Sequence, residues 1–258
     1  MNKTADLIRL NKFLAERLGI SRRQADDLIA AGKITWKHAG SDWQVAQLGD
    51  RIDASCEVRH KGVPVPFAAT YQYYAMNKPV GYVCSRRAQG RAPTIYDLLP
   101  SKLHTLKTVG RLDKDSSGLV LLTNDGDFAY QMTHPKFVKE KVYLVELDRD
   151  LAPLHQQEIA DFGVEIGDGV SRLGLTRLTQ AEFWHDYHDG APETAETGSP
   201  DERRFFRVTM SEGRNRQIRR TFAALGYEVM RLHRVQFGKY CLSGLKSGEL
   251  VAVPKITQ

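Results

Sequence analysis

The sequence predicts a protein that mixes helices and strands, with a small helical unit ahead of a larger part in which strands alternate with short helices. Three observations support this. Apolar residues near the N-terminus recur at helical spacing. The runs at residues 73–83, 119–122 and 141–147 are short, apolar and bounded by turn residues, which is typical of strands. Between the two parts lies a proline-spaced stretch, residues 61–66, which favours an extended connection.

The composition is that of an ordinary globular protein. The chain has 258 residues, of which 41% are hydrophobic and 26% are charged, so it can hold a small domain and a larger one. Its net charge of +6 permits nucleic-acid binding without requiring it. The first twenty residues carry charges throughout, and no apolar run approaches the ~18 residues needed to cross a bilayer. We therefore expect neither a secretory signal nor a membrane partner.

The cysteines indicate the cellular compartment. Cys56, Cys84 and Cys241 are scattered and form no closely spaced pair. This argues against a disulfide framework and against a structural zinc site, and it suits a reducing environment. We expect a cytoplasmic protein.

Two short helices are predicted near the N-terminus. One apolar stripe runs through residues 9–18 at helical spacing: Leu10, Phe13, Leu14 and Leu18. Ser21 is followed three residues later by Gln24, which predicts a capping box at the start of a second helix. Gly32 follows the apolar face of that helix and is expected to end it.

Arg22 and Arg23 fall in the first turn of this second helix. Cations there oppose the helix dipole, so their presence suggests an anionic ligand such as a phosphate. We consider both to be candidate substrate-binding residues. An indifferent pair of surface charges is the alternative.

The main candidate for chemistry is Asp113. It precedes the apolar run of residues 119–122, in a loop rich in turn residues, and Arg111 stands two residues before it. A nearby positive charge lowers a carboxylate pKa, and loops held by rigid elements often carry catalytic groups.

Three other interpretations of Asp113 are open: a turn or helix-capping aspartate, a solvated acidic loop, and a calcium loop. Four positions fit half of a calcium loop: Asp113, Asp115, Ser117 and Gly118. Asn124, however, stands where such a loop needs a bidentate glutamate.

The stretch at residues 203–220 is rich in arginine and contains no lysine. The planar guanidinium group suits phosphates and carboxylates and stacks on bases, although a solvated charged face is the alternative. Residues 211–224 are expected to form a helix. The candidate substrate-binding residues in this stretch are Arg214, Arg216 and Arg220.

Residues 184–201 are polar and acidic and contain Gly and Pro, and we interpret them as a flexible insertion. His185 and His188 do not by themselves make a metal site. No metal site is predicted.

Several separate motifs resemble one enzyme family. Residues 110–127 have the sequence GRLDKDSSGLVLLTNDGD, which resembles the catalytic motif of the ribosomal-RNA pseudouridine synthases of the RsuA/RluB/RluE/RluF family. The remaining motifs follow in the family's order: Met-Asn-Lys-Pro at 76–79, Lys-x-Tyr at 141–143, Glu-Gly-Arg-Asn-Arg-Gln-Ile-Arg at 212–219, and Leu-His-Arg at 232–234. At the N-terminus, the pattern RLNKFLAE…SRRQADDLIAAGKI resembles the S-four RNA-binding domain, named after small-subunit ribosomal protein four.

The resemblance implies an α+β fold and a domain plan. It implies a small helical N-terminal RNA-binding domain at residues 1–62, a linker at 63–69, and a catalytic domain at 70–258. The catalytic domain would be a mostly antiparallel β-sheet in two halves flanked by helices. The implied activity is the isomerisation of uridine to pseudouridine in ribosomal RNA, naked or in precursor particles. This reaction needs no cofactor, and we expect a monomer.

The resemblance also implies roles for individual residues. Asp113 would be the catalytic aspartate, Tyr143 would stack on the target base, and Arg219 would pair with Asp113. Ile218 would pack in the active site, and Arg111 would add positive charge. Two other functions stay open: a non-catalytic RNA-binding or ribosome-assembly factor, and pseudouridylation of transfer RNA.

Overall fold

A computed structural model describes residues 7–68, 70–87, 90–187, 203–242 and 244–256. The chain divides into two compact units. The smaller unit comprises the residues up to Gln72 and the short segments Thr105–Lys107 and Asn124–Gly126. The larger unit contains the rest of the chain.

The smaller unit has the two predicted helices. After a short strand β1 (Ile8–Arg9), α1 spans Leu10–Arg17 and α2 spans Arg22–Ala30. The capping box is present: the Ser21 hydroxyl accepts from the Gln24 backbone N–H at 3.1 Å, and the Gln24 side chain accepts from the Ser21 N–H at 2.8 Å. The capping box that the sequence predicted is therefore confirmed.

The smaller unit also contains a sheet, in addition to its helices. Its strands are β2 (Ile34–Lys37), β3 (Gln44–Val45), β5 (Glu57–His60) and β6 (Val63–Val65), in the order β3-β2-β5-β6, and β4 (Arg51–Ile52) pairs with β1. All of these strands have four residues or fewer, too short for a hydrophobic alternation to show in the sequence. Residues 63–65, interpreted above as part of a linker, instead form the edge strand β6. Pro64 is tolerated there because an edge strand leaves one side of its backbone unpaired.

The larger unit is built on one sheet. Its strands are β7 (Tyr73–Lys78), β8 (Lys107–Val109), β9 (Ser117–Thr123), β10 (Lys141–Leu147), β13 (Gly174–Arg177), β14 (Phe205–Met210), β15 (Val229–Phe237), β16 (Tyr240–Cys241) and β17 (Leu250–Ala252). The main order is β13-β14-β10-β15-β9-β7-β17, with β8 beside β9 and β16 beside β15. Two further strands, β11 (Val164–Glu165) and β12 (Val170–Ser171), form a separate hairpin.

The sheet consists of two antiparallel halves joined at one parallel pair, β9 with β15. Gly118 lies at this junction, opposite Arg234, with a φ of +103°. A Cβ atom at residue 118 would lie 2.3 Å from the backbone oxygen of Arg234. Only glycine fits this approach, which brings the loop of Asp113 next to β15. The α+β fold with a mostly antiparallel, two-part sheet is thus confirmed.

Helices flank the sheet of the larger unit. They are α3 (Gly126–Thr133), α4 (Pro153–Gln157), α5 (Gln180–Asp186) and α6 (Gln217–Ala224), with single turns at Ile95–Leu98, Ser101–Leu103 and Pro135–Phe137. After α4 the chain winds into one wider turn, Glu158–Phe162. In the part of the chain that the structure describes, no helix is long and apolar enough to cross a membrane.

Two details differ from the sequence predictions. The helix expected from residue 211 begins at Gln217, because Arg216 adopts a left-handed backbone conformation with a φ of +48° that a helix cannot contain. Residues 184–186 of the expected insertion close α5, and residues 188–201 lie outside the described residues.

Candidate active site

A pocket of about 360 Å³ opens in the larger unit. Its walls come from the loop before β9, from β10 and β15, and from the start of α6. Six of the residues proposed from the sequence line it: Arg111, Asp113, Tyr143, Arg214, Arg216 and Ile218. Arg219 and Arg220 lie on α6 outside this lining, and Arg22 and Arg23 are exposed in the smaller unit. A concave site with several convergent polar groups is the usual form of an active site.

The loop that carries Asp113 is held from beneath by Lys78. The Lys78 ammonium donates to the backbone oxygen of Ser116 at 2.6 Å and to that of Pro79 at 2.8 Å. The side chain is fully buried, and this burial lowers the pKa of Lys78 to about 8. A buried lysine satisfied by carbonyl groups is costly, so the arrangement fixes the loop at some expense in stability.

Asp113 faces Arg216 across the mouth of the pocket. The Oδ2 atom of Asp113 lies 3.6 Å from Nη1 of Arg216, and about a third of the Asp113 side chain (36%) is exposed. The carboxylate is therefore accessible from the pocket, and a guanidinium group lies close beside it.

Asp115 organises the arginines at this mouth. It accepts two parallel hydrogen bonds from Arg216, at 3.1 and 3.0 Å. Its Oδ2 also lies 3.4 Å from Nε of Arg219. Burial by itself would raise the pKa of Asp115, but the hydrogen bonds from Arg216 and the charges of Arg219 and Arg216 outweigh it and hold this pKa below its usual value.

The expected pairing of Arg219 with Asp113 is wrong in this structure. Arg219 contacts Asp115 instead, and its Nη2 donates to the Asp115 backbone oxygen at 2.8 Å. Its Nη1 donates to the backbone oxygen of Val229 at 2.6 Å, which ties α6 to β15. The reason is geometric: Arg216, whose left-handed backbone precedes α6, takes the place beside Asp113, so Arg219, one turn further on, reaches Asp115.

An aromatic ring and an apolar side chain complete the pocket. Tyr143 lies in the middle of β10, opposite Val208 on β14 and Arg234 on β15, and its side chain is mostly buried. Ile218 is buried in the first turn of α6. A flat ring and a branched apolar group in the same pocket suit a planar base.

Arg214 and Arg220 are held by Asp168, in the turn between β11 and β12. Arg220 donates to both carboxylate oxygens of Asp168, at 2.7 and 3.0 Å, and Arg214 also donates to its backbone oxygen at 3.2 Å. Both arginines thus anchor the hairpin beside α6. Their role in binding a substrate stays a prediction, and Arg220 has a structural role as well.

Other basic residues of the pocket were not recognised as site residues from the sequence. Lys139, Lys141 and Arg234 line the pocket together with Asp113. One available signal was the spacing of Lys141 and Tyr143, because residues two apart in a strand share a face.

A family model decides the class of this protein. The model for RNA pseudouridylate synthase matches residues 72–224, more than half of the chain and most of the larger unit. The chain belongs to the RNA pseudouridylate synthase family. It is therefore an isomerase that forms pseudouridine in RNA.

Individual relatives agree over almost the full length. The chain is 34% identical over 236 residues to the ribosomal small subunit pseudouridine synthase A of Yersinia pestis, covering 91% of this chain and 89% of the relative. It is 30% identical over 241 residues to the ribosomal large subunit pseudouridine synthase B of Bacillus subtilis, covering 93% and 90%. The crystal structure of a pseudouridylate synthase superposes with a TM-score of 0.62 at 30% identity, covering 96% of both chains.

Proposed function

We propose that this protein converts uridine to pseudouridine in ribosomal RNA and that Asp113 is its catalytic group. The observation that carries the proposal is the position of Asp113. Its accessible carboxylate, an adjacent cation from Arg216 and the ring of Tyr143 line one pocket. The relatives named above act on ribosomal RNA of both subunits, which supports the substrate class and leaves the choice of subunit to experiment.

The reaction places specific demands on the site. Uracil is detached from the sugar, turned and rejoined through carbon, so no atom other than a proton enters or leaves. A carboxylate can begin this process as a nucleophile or as a base acting on the sugar, and Asp113 is suited to both roles. Because the overall reaction transfers neither electrons nor a chemical group, it requires no cofactor.

The target uridine must leave its helical stack to reach this carboxylate. Tyr143 would stack on the flipped base, and Ile218 would pack against its edge. Arg111 is exposed at the rim of the pocket and makes no ion pair with any residue that the structure describes. Its charge is thus free to meet the RNA backbone.

The smaller unit would add affinity. We assign the smaller unit, whose main segment includes the edge strand β6 and runs to Gln72, to an S-four-like RNA-binding domain, and the larger unit to the catalytic domain. Arg22 and Arg23 are exposed in the first turn of α2, where the helix dipole also favours an anion, an arrangement that suits a backbone phosphate. The protein would act as a monomer in the cytoplasm, on naked RNA or on precursor particles.

Tritium release tests this proposal directly. Purified protein is incubated with ribosomal RNA, naked and in precursor particles, that carries tritium on carbon-5 of uridine. We expect release by the wild type and none above background by Asp113→Asn, with RNA affinity within about tenfold because one side chain is a small part of the phosphate contacts. Asp161→Asn changes an exposed carboxylate outside the pocket and serves as the control.

The outcomes separate the other functions. Sequencing of the modified positions would name the uridine and the subunit. Tritium release from transfer RNA alone would show that transfer RNA is the substrate. RNA binding without tritium release from any RNA would indicate a non-catalytic factor. Equal loss of binding and release in Asp113→Asn would contradict a catalytic role for this residue.

A further inference from the structure

One wall of the pocket is lined by cations that form no ion pair with any residue the structure describes. These side chains are Lys139, Lys141 and Arg234. Lys139 and Arg234 are buried, with 7% and 2% of their surface exposed. Charged groups are rarely buried to this degree without an opposite charge or a bound ion.

The side-chain hydrogen bonds of Lys141 and Arg234 go to backbone oxygens. The Lys141 ammonium donates to the backbone oxygens of Glu212 at 3.0 Å and Lys139 at 3.4 Å. Arg234 donates from Nε to the backbone oxygen of Leu119 at 2.8 Å, and its buried Nη2 has no hydrogen-bond partner among the described residues. Within the described part of the chain, none of the three forms an ion pair.

The contrast with the other basic residues of α6 and its approach is informative. Each of these arginines has a carboxylate partner: Arg214, Arg216, Arg219 and Arg220. The two carboxylates nearest the pocket are engaged as well, because Asp113 faces Arg216 and Glu212 is bound by Arg214. The wall formed by Lys139, Lys141 and Arg234 therefore keeps an excess of positive charge.

Two of these cations also repel one another. Lys141 and Arg234 lie beside the same ring, with the Lys141 ammonium 5.7 Å and the Arg234 guanidinium 4.9 Å from the centre of Phe237. Burial, and after it the charge of Arg234, lowers the pKa of Lys141 to about 8. A bound anion would offset the cost of burying the Lys141 ammonium group and would reduce its repulsion with Arg234.

We propose that Lys139, Lys141 and Arg234 form a subsite for one backbone phosphate of the RNA, adjacent to the uridine that is flipped toward Asp113. This subsite rests on the proposed function, which supplies RNA as the anion. The phosphates that flank a flipped nucleotide must follow it to the pocket, and this wall shares the pocket with Asp113 and Tyr143. A guanidinium fork and two ammonium groups match the oxygens of a phosphodiester.

Neutral linkages test this subsite. The RNA fragment that contains the mapped uridine is made with a methylphosphonate, which has no charge, at the linkage on its 5′ side or on its 3′ side. We expect one of the two substitutions to lower wild-type affinity and kcat/KM by about tenfold or more, the effect of losing charge-assisted hydrogen bonds. Because this comparison uses the wild-type protein, it does not depend on how any variant folds.

Variants then locate the contact. In Lys141→Gln and in Arg234→Gln the same methylphosphonate should cost less than about threefold, because the charge it removes has lost its partner. Lys246→Gln, an exposed lysine outside the pocket, should keep the full wild-type sensitivity. Thermal unfolding shows whether each variant is folded, which matters most for Arg234→Gln because Arg234 is buried. If that variant does not fold, Lys141→Gln still provides the comparison, because Lys141 is only half-buried.

The results distinguish this inference from the function on which it rests. A wild-type protein that modifies the unaltered fragment but tolerates a neutral linkage on either side refutes the subsite and leaves the function standing. Variants that keep the full sensitivity also refute it. A wild-type protein that modifies no uridine in any RNA refutes the function, and the subsite with it.

Discussion

Arg216 holds Asp115 through two parallel hydrogen bonds of 3.1 and 3.0 Å, and the same guanidinium lies 3.6 Å from Asp113. The carboxylate of Asp115 also lies 3.4 Å from Arg219. Asp115 thus sets the position of the cation that faces Asp113, the proposed catalytic group, although no reacting atom need touch Asp115. We treat it as a positioning residue.

Asp115→Asn should lower activity without removing the site. The amide keeps the shape of the carboxylate but loses the charge that fixes both arginines. We expect kcat to fall by about tenfold to a hundredfold, because a misplacement of about 1 Å in the site has an effect of this size. KM should change much less, because Asp115 is not expected to contact the substrate. Single-turnover pseudouridine formation at saturating RNA is the measurement. Asp161→Asn is the matched control, and a kcat equal to that of the wild type would refute the positioning role.

Asp115 also predicts a specific loss of stability in acid. Its folded-state pKa lies below the ordinary value of 3.8, so its contribution to stability is fully present above that value and is lost as the pH falls through the folded-state pKa. The difference in free energy of unfolding between the wild type and Asp115→Asn should therefore be constant above about pH 5 and shrink toward about pH 3. Urea titrations across this range measure it. A difference that does not change with pH would show that the ion pair contributes nothing to folding.

Gly118→Ala should be strongly destabilising. A Cβ atom at this residue would lie 2.3 Å from the backbone oxygen of Arg234, and its φ of +103° is unfavourable for alanine. We expect a loss of at least about 2 kcal/mol, because strained backbone alone costs about 1–3 kcal/mol. Gly174→Ala, in a strand where a Cβ would lie no closer than 3.4 Å to its neighbours, should change stability by less than about 1 kcal/mol. Similar melting temperatures for the two variants would contradict the close approach of β9 and β15.

Local sequence chemistry predicted several elements well. The capping box of Ser21 and Gln24 and the strand Lys141–Leu147 occur where turn residues and apolar spacing placed them. These features depend on residues a few positions apart, which sequence patterns record directly. The motif around Asp113 similarly identified the loop that enters the pocket.

Features that depend on long-range pairing were not predicted. Arg216 lies beside Asp113, where Arg219 was expected, because the backbone at Arg216 is left-handed. No local sequence pattern indicates this conformation for an arginine. The pairing of β10 with β15 brings Lys141 beside Arg234, a residue far away in the sequence. The charge excess of the pocket wall is therefore a property of the sheet.

Two substitutions of Tyr143 should differ in their effect on RNA affinity. Tyr143→Phe keeps the ring on which the base would stack, whereas Tyr143→Ala removes it. We expect the alanine variant to bind the target RNA more weakly by about 1–3 kcal/mol, the usual contribution of one stacked base, and the phenylalanine variant to bind within about twofold of the wild type. Fluorescence anisotropy with the RNA fragment measures both, and melting curves control for folding. Equal affinities for all three proteins would exclude stacking on this ring.

Lys141 predicts a loss of RNA affinity in mild alkali. Its pKa is lowered to about 8 by burial and by Arg234, and Glu212 offsets part of this. As the pH rises through this value Lys141 loses its charge, and its attraction for a phosphate declines. The affinity of the wild type should therefore fall above about pH 8, by up to about tenfold per pH unit.

Lys141→Arg should remove this pH dependence, because a guanidinium keeps its charge throughout the range. Dissociation constants measured at constant ionic strength from about pH 6.5 to 9 test the prediction, since titration of the RNA itself affects both proteins equally. Lys246→Arg should behave as the wild type, because Lys246 is exposed and outside the pocket. If Lys141→Arg and the wild type lose affinity in parallel, the charge of Lys141 does not contact the RNA, which contradicts the proposed phosphate subsite.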